Sequence, residues 1–401
     1  MKALTKISIG FLSLAAVALG FTSCSSEDVT QNGGGLNEKD QRVLLLSVNT
    51  GNLGTRTTTT ALTDDEKQIN DMTVGIYDKS GNYRVVAKLA SKTDADDKEA
   101  SGSTEGHFKK NTSGVEVKVV TSTLQKEDQV LVAVNRDAAF TSNPNSPAKF
   151  NEVTMDAIKA LQFKASSTDI DATKFPKFGN TKLPDGSSST FKATVSVKNL
   201  VSKVTLEDLK VEFSGPYNNA SFTPSEIFLL NVPDKLAFST TGQASTTTYL
   251  NGTNMAKPDG TSVTKTAVLA KTITASALSS VSGGTASYTD KPILYTIPNS
   301  SASNKTILVI AGKFKKDAST TIEENVYYPL ALNEDYSTDA SGAAADGGTK
   351  SQTLAGKNYK CKVVIKTIGA SNPWVTTGPQ TAVLTVNVED WKDATQTTTF
   401  E

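Results

Sequence analysis

The chain has 401 residues, with 41 Lys plus Arg balanced by 41 Asp plus Glu, and it is 37% hydrophobic and 7% aromatic. Zero net charge with no basic excess argues against a nucleic-acid partner, and this apolar content over this length can bury a real core, most simply as two ordinary domains. With His107 as the only histidine and Cys24 and Cys361 as the only cysteines, a histidine-based triad or zinc cluster would have to rest on one imidazole.

The chain opens with Lys2 and Lys6, then an uncharged run over residues 7–21 that contains Phe11, Leu12, Leu14, Val17 and Leu19. Small Thr22 and Ser23 precede Cys24, and Ser25, Ser26, Glu27 and Asp28 follow it. A positive end, a short apolar core and a small-residue cleavage site define a secretory signal, whereas a membrane span needs about 20 apolar residues. Residues 1–23 therefore read as a signal peptide and Cys24 as the lipidation site. The alternative is an ordinary signal-peptidase site with an incidental cysteine, because Phe21 stands where an aliphatic residue is usual. Each buried acyl methylene contributes about 0.8 kcal/mol, so two or three chains would hold the product on a bilayer.

Residues 42–49, Arg-Val-Leu-Leu-Leu-Ser-Val-Asn, form an apolar strand with nothing beside it, which must pair with the domain that follows. Residues 50–60 are Gly, Asn and a threonine run around Arg56, a tether whose backbone a protease can reach. The plainer alternative is an ordinary first strand and loop.

Beyond the tether, apolar residues recur at spacing two: Val115, Val117 and Val119; Val195 and Val197; Val204 and Leu206; Leu384, Val386 and Val388. That period marks strands with one buried face. Polar stretches over residues 93–106, 185–190, 257–263 and 338–349 read as turns, with His107 in a polar turn beside Gly106. Met155, Ile158 and Leu161 fit a short amphipathic helix capped by Asn151 or Thr154. The expected class is all-β, with antiparallel strands stacked into sandwiches and a minor helix.

The acidic run Asp94, Asp96, Asp97 and Glu99 superficially resembles a calcium loop, but Glu99 occupies the place where the turn needs glycine. No Gly-rich phosphate cradle or nucleophile elbow appears, so neither an enzyme nor a cofactor is expected. Cys361, in an alternating run, reads as an inert buried strand residue. Residues 381–401 give a clear strand to Val388, then Trp391, then a threonine-rich extension with only Ala394 and Phe400 as apolar anchors. Such a tail suits an edge strand added to another sheet, or else a disordered terminus.

These pieces together resemble the fimbrillin family, the lipoprotein-derived pilins of Bacteroidales type V pili, and within it the major shaft subunits. The resemblance rests on the lipoprotein signal, on residues 72–78 (Met-Thr-Val-Gly-Ile-Tyr-Asp), 130–135, 197–213, 222–231, 326–333 and 357–369, and on the closing Val386-Asn-Val-Glu-Asp-Trp391. Ser26, Glu27 and Asp28 resemble the export tag of surface lipoproteins in the same order of bacteria. The resemblance implies two transthyretin-like β-sandwich domains in tandem: residues 57–203 and 204–401, after a propeptide of residues 24–56.

It also implies a mechanism. The lipoprotein would reach the outer membrane, a trypsin-like protease would cut between Arg56 and Thr57, and the first strand would leave with its lipid. Arg42 is a second basic site, but a cut there would leave the strand in place. A C-terminal strand from a neighbouring pilin, identical or related, would then fill the groove head-to-tail, drawing on Leu384, Val386, Val388, Trp391, Ala394 and Phe400. Anchor and tip pilins would complete the surface fimbria. The alternatives are a monomeric, lipid-anchored binding protein for a glycan or host ligand, or a pilus anchor or tip subunit.

Overall fold

A computed structural model describes residues 42–49, 66, 68–89, 96–99, 106–111, 114–135, 154–159, 162–164, 170, 174–184, 189–238, 248–280, 291–317, 319, 321–333, 352–375, 378 and 380–390. In chain order the first elements are β1 (Arg42–Asn49), β2 (Met72–Tyr77), β3 (Tyr83–Leu89), β4 (Asp96–Glu99), β5 (Gly106–Asn111), β6 (Gly114–Thr121), β7 (Gln129–Val134), helix α1 (Met155–Lys159), β8 (Gln162–Lys164), β9 (Lys177–Lys182), β10 (Thr190–Ser196) and β11 (Lys198–Asn199). Next come β12 (Ser202–Val211), β13 (Ser221–Leu230), β14 (Val232–Pro233), β15 (Lys235–Ala237), β16 (Tyr249–Leu250), β17 (Ala270–Thr272) and β18 (Leu278–Ser279). The last are β19 (Ile293–Thr296), β20 (Ile307–Lys315), β21 (Glu324–Ala331), β22 (Lys357–Ile365) and β23 (Ala382–Asp390).

Four sheets carry the architecture. The leading sheet runs β10-β1-β6-β5-β4 and the central sheet β11-β9-β7-β2-β3. The closing sheet runs β19-β12-β22-β23 and the far sheet β17-β13-β20-β21. The chain passes from the first pair of sheets to the second between Asn199 and Ser202.

Alternation sets which residues face which layer. Leu44, Leu46 and Val48 of β1, Val117 and Val119 of β6, and Phe191, Ala193 and Val195 of β10 share one core with Val74 and Ile76 of β2 and Val130, Val132 and Val134 of β7. The opposite face of the central sheet is buried too. Leu131, Ala133 and Phe178 join Ile158 of α1, Phe175, Leu236 and Phe238, and that cluster continues into the second sandwich through Leu206, Leu209, Phe222, Leu308, Tyr328 and Cys361. This double burial explains why every residue of β2 and β7 is buried, and why their sequences read as continuous apolar runs. A further link between the halves is the pairing of β8 with β15.

The predicted strands appear with their periods intact, and the class is all-β sandwich. The turn expected over residues 93–106 needs correction: Asp96–Glu99 form β4, which pairs with β5, and His107 lies within β5 opposite Lys118. The β5–β6 hairpin supplies main-chain partners that outweigh the local turn preference, and charged side chains suit the edge of a sheet. The residue 257–263 turn is present, with Gly260 at φ +83° and its N–H donating to the Lys257 carbonyl at 2.9 Å.

Candidate functional site

β1 is not an edge strand. It lies inside the leading sheet, parallel to β10 on one side, with Val43 opposite Thr190 and Val48 opposite Val195, and antiparallel to β6 on the other, with Leu44 opposite Val119 and Val48 opposite Val115. Both of its hydrogen-bonding edges are therefore occupied. Leu44, Leu46 and Val48 are at most 1% exposed, so these three contribute roughly 5–9 kcal/mol of gross burial. Val43 and Leu45, on the other face, are half-buried. The start of the strand is fixed by the Val43 N–H donating to the Ser189 carbonyl at 2.7 Å and the Arg42 guanidinium donating to the Leu124 carbonyl at 2.6 Å.

Without β1 the leading sheet would hold a cleft one strand wide, walled by β6 and β10 and floored by the valines of β2 and β7. Among the described residues β10 has β1 as its one partner in that sheet. It is retained by other means: it runs through Val197 into β11, which pairs with β9 in the central sheet, and Gly179 of β9 admits it closely. A Cβ at Gly179 would meet the Ser196 carbonyl oxygen at 2.6 Å and a Val195 methyl at 2.8 Å.

At the far end, β23 closes the second sandwich at the edge of its sheet. It pairs with β22, with Leu384 opposite Val363, Val386 opposite Cys361 and Val388 opposite Tyr359. Leu384 is fully buried and Val386 is 6% exposed. These two side chains thus fill the core of their own sandwich. Cys361 is buried there as well, its thiol within reach of the Tyr359 carbonyl at 3.6 Å, and burial pushes its pKa well up.

Trp374, one of two tryptophans, packs on the outer face of the far sheet beside Phe228, Val309 and Tyr327. Its indole N–H donates to the Met255 carbonyl at 2.9 Å, and the Lys257 ammonium lies 5.2 Å from its ring. Among the described residues no group of three His, Cys, Asp or Glu side chains could hold a metal ion, and no helix is long and apolar enough to cross a membrane. Cys24, Ser26, Glu27, Asp28, Arg56, Thr57, Trp391, Ala394 and Phe400 lie outside the described residues, as does the side chain of Val388.

The sequence marks the strand that would fill the cleft but not its walls. Val115, Val117, Val119, Val195 and Val197 announce strands by their period, and nothing local says which of them would flank β1.

Solved structures are similar to this fold. A fimbrilin from Porphyromonas gingivalis superposes with a TM-score of 0.58 at 14% identity, covering 88% of this chain and 98% of that one. The chain has the fimbrilin fold. A protein from Parabacteroides distasonis, provisionally assigned to cell adhesion, matches with a TM-score of 0.59 at 15% identity over 88% of this chain and 100% of its own. Another of the same provisional assignment, from Bacteroides eggerthii, matches with a TM-score of 0.57 at 18% identity over 88% of this chain and 96% of its own. No family model and no curated protein matches the sequence.

Proposed function

We propose that this chain is a fimbrillin-family subunit of a surface fimbria, made as a lipoprotein precursor and assembled by exchange of its first strand. The observation that carries the reading is the position of β1: a strand held inside a sheet, between β10 and β6, yet joined to the rest of the chain by a threonine- and glycine-rich tether holding Arg56. A strand inside a sheet with a cuttable connection is removable as a unit. Its removal exposes two unpaired strand edges and an apolar floor, which demand a replacement.

In this reading Cys24 carries the lipid, with Ser26, Glu27 and Asp28 directing export to the surface. A trypsin-like protease cuts between Arg56 and Thr57, and residues 24–56 leave with the acyl chains. The mature subunit is residues 57–401, two tandem sandwiches that divide between Asn199 and Ser202. The donor comes from the tail of a neighbouring subunit. Because Leu384 and Val386 are already committed to their own core, the donated segment is residues 391–401, with Trp391, Ala394 and Phe400 as its apolar contacts and main-chain pairing as the larger share of the joint. Donor and acceptor surfaces differ, so the contact is head-to-tail and propagates as an open filament, completed by anchor and tip subunits.

The test is to treat the purified full-length chain with a trypsin-like protease and follow its size. A ladder of detergent-resistant oligomers is expected, with Arg56→Ala trapping the monomer and deletion of residues 391–401 leaving cut but unassembled subunits. A surface form that still begins at Cys24 and runs as one monomeric species would overturn the proposal, and would favour a lipid-anchored binding protein.

A further inference from the structure

Between β1 and β2 the sequence offers a trypsin-like enzyme two bonds, after Arg56 and after Lys67. The residues on either side of Lys67 are gripped from two sheets at once. Glu66 is 1% exposed. Its carboxylate oxygen Oε1 accepts from Lys203 Nζ at 2.9 Å and from the Tyr295 hydroxyl at 2.8 Å, while its main-chain carbonyl accepts from Lys177 Nζ at 2.7 Å. Lys203 and Tyr295 are directly opposed on β12 and β19 of the closing sheet. Lys177 and Asn199, which also share a hydrogen bond, are directly opposed on β9 and β11 of the central sheet. A cross-strand pair of the closing sheet and a lysine of the central sheet, itself held by its cross-strand partner Asn199, therefore close on a single glutamate.

Two residues further on, Asn135 repeats the grip. Its backbone sits at φ +60°, a conformation asparagine tolerates better than most. Its side-chain amide donates to the Gln68 carbonyl at 2.9 Å, its Oδ1 accepts from the Asn70 N–H at 2.7 Å, and its own N–H donates to the Asp71 carbonyl at 2.9 Å.

A protease takes its substrate as an extended strand, pairing with main-chain groups on both sides of the bond it cuts. Cleavage after Lys67 would require the carbonyls of Glu66 and Gln68 and the Asn70 N–H to leave these partners, and would strand buried charge on Lys203. We infer that Glu66, through Lys203, Tyr295 and Lys177, is the positioning residue that fixes the mature N-terminus: it shields the bond after Lys67, so that maturation stops at Arg56 and the two sandwiches stay clasped when β1 leaves. This rests on the processing reading above.

The test follows release of the peptide Thr57–Lys67 by mass spectrometry during trypsin digestion of the full-length chain. In the wild type the bond after Arg56 should be consumed before that peptide appears. Glu66→Gln should raise its rate of release by about tenfold or more, and the milder Tyr295→Phe by a few-fold, since cleavage tracks local opening. The rate of cutting after Lys316, in an exposed turn of the second sandwich, should not change, which separates local release from general unfolding. If the wild type yields Thr57–Lys67 as fast as it loses the Arg56 bond, or if a folded variant releases it no faster than the wild type, the clasp has no such role. Should Glu66→Gln fail to fold, Tyr295→Phe alone decides. Resistance of the Arg56 bond would count against the processing reading, while the comparison at Lys67 would still judge the clasp.

Discussion

The Cβ that Gly179 lacks would lie 2.6 Å from the carbonyl oxygen of Ser196. That contact ties β9 of the central sheet to the last residue of β10, the strand that borders β1. Gly179→Ala should cost about 1–3 kcal/mol, as overpacking of a filled interior does. Urea melts of the precursor and of chain cut at Arg56 and freed of its first strand should show the larger loss in the second form, where β10 has no β1 to lean on.

Leu46 is buried beneath the leading sheet at 1% exposure. Leu46→Ala should lower the stability of the intact precursor by about 2–5 kcal/mol. After cutting and removal of the first strand, variant and wild type should become indistinguishable in both melting and assembly. A persistent difference between the matured proteins would mean that β1 is never given up.

Leu384 and Phe400 should separate folding from assembly. Leu384 is fully buried in β23 against β22, so Leu384→Ala should destabilise the monomer by about 2–5 kcal/mol. Phe400→Ala should leave the monomer's melting curve unchanged and weaken the oligomer ladder. The reverse outcome would place the donated strand upstream of residue 391.

Alkaline pH should loosen the fold. Burial raises the pKa of the Cys361 thiol, and it raises those of the Tyr77 and Tyr328 phenols as well. An acid whose folded pKa lies above its unfolded value contributes stability below the unfolded pKa and loses it as pH rises. For the thiol that loss begins near pH 8.5, and for the phenols near pH 10. Chemical denaturation between pH 7 and 11 should show falling midpoints. At pH 8 a thiol reagent should modify Cys361 only at the rate of unfolding, and fast labelling of the folded chain would contradict its burial.

Much of the fold was legible because period two is a local signal. Val204 and Leu206, Leu384 and Val386, and the run through Cys361 all occupy the strands their spacing announces. β4 was not legible, since Asp96–Glu99 pair only because β5 is there to receive them. The isolated apolar strand pointed to the cleft, but its walls come from pairings such as Val43 with Thr190, which no local pattern encodes. Glu66, Lys177 and Lys203 resemble ordinary surface charges in sequence. What makes them a clasp is the register of two separate sheets, β9 with β11 and β12 with β19.

The parallel pairing of β1 with β10 also governs timing. Residues 42–49 leave the ribosome early, yet one flank of their sheet waits for residues 190–196. Until those emerge, the leading sheet cannot close around its first strand, and contacts of such long separation form slowly. In the export that we propose, such a delay would keep the nascent chain open for threading through a translocon.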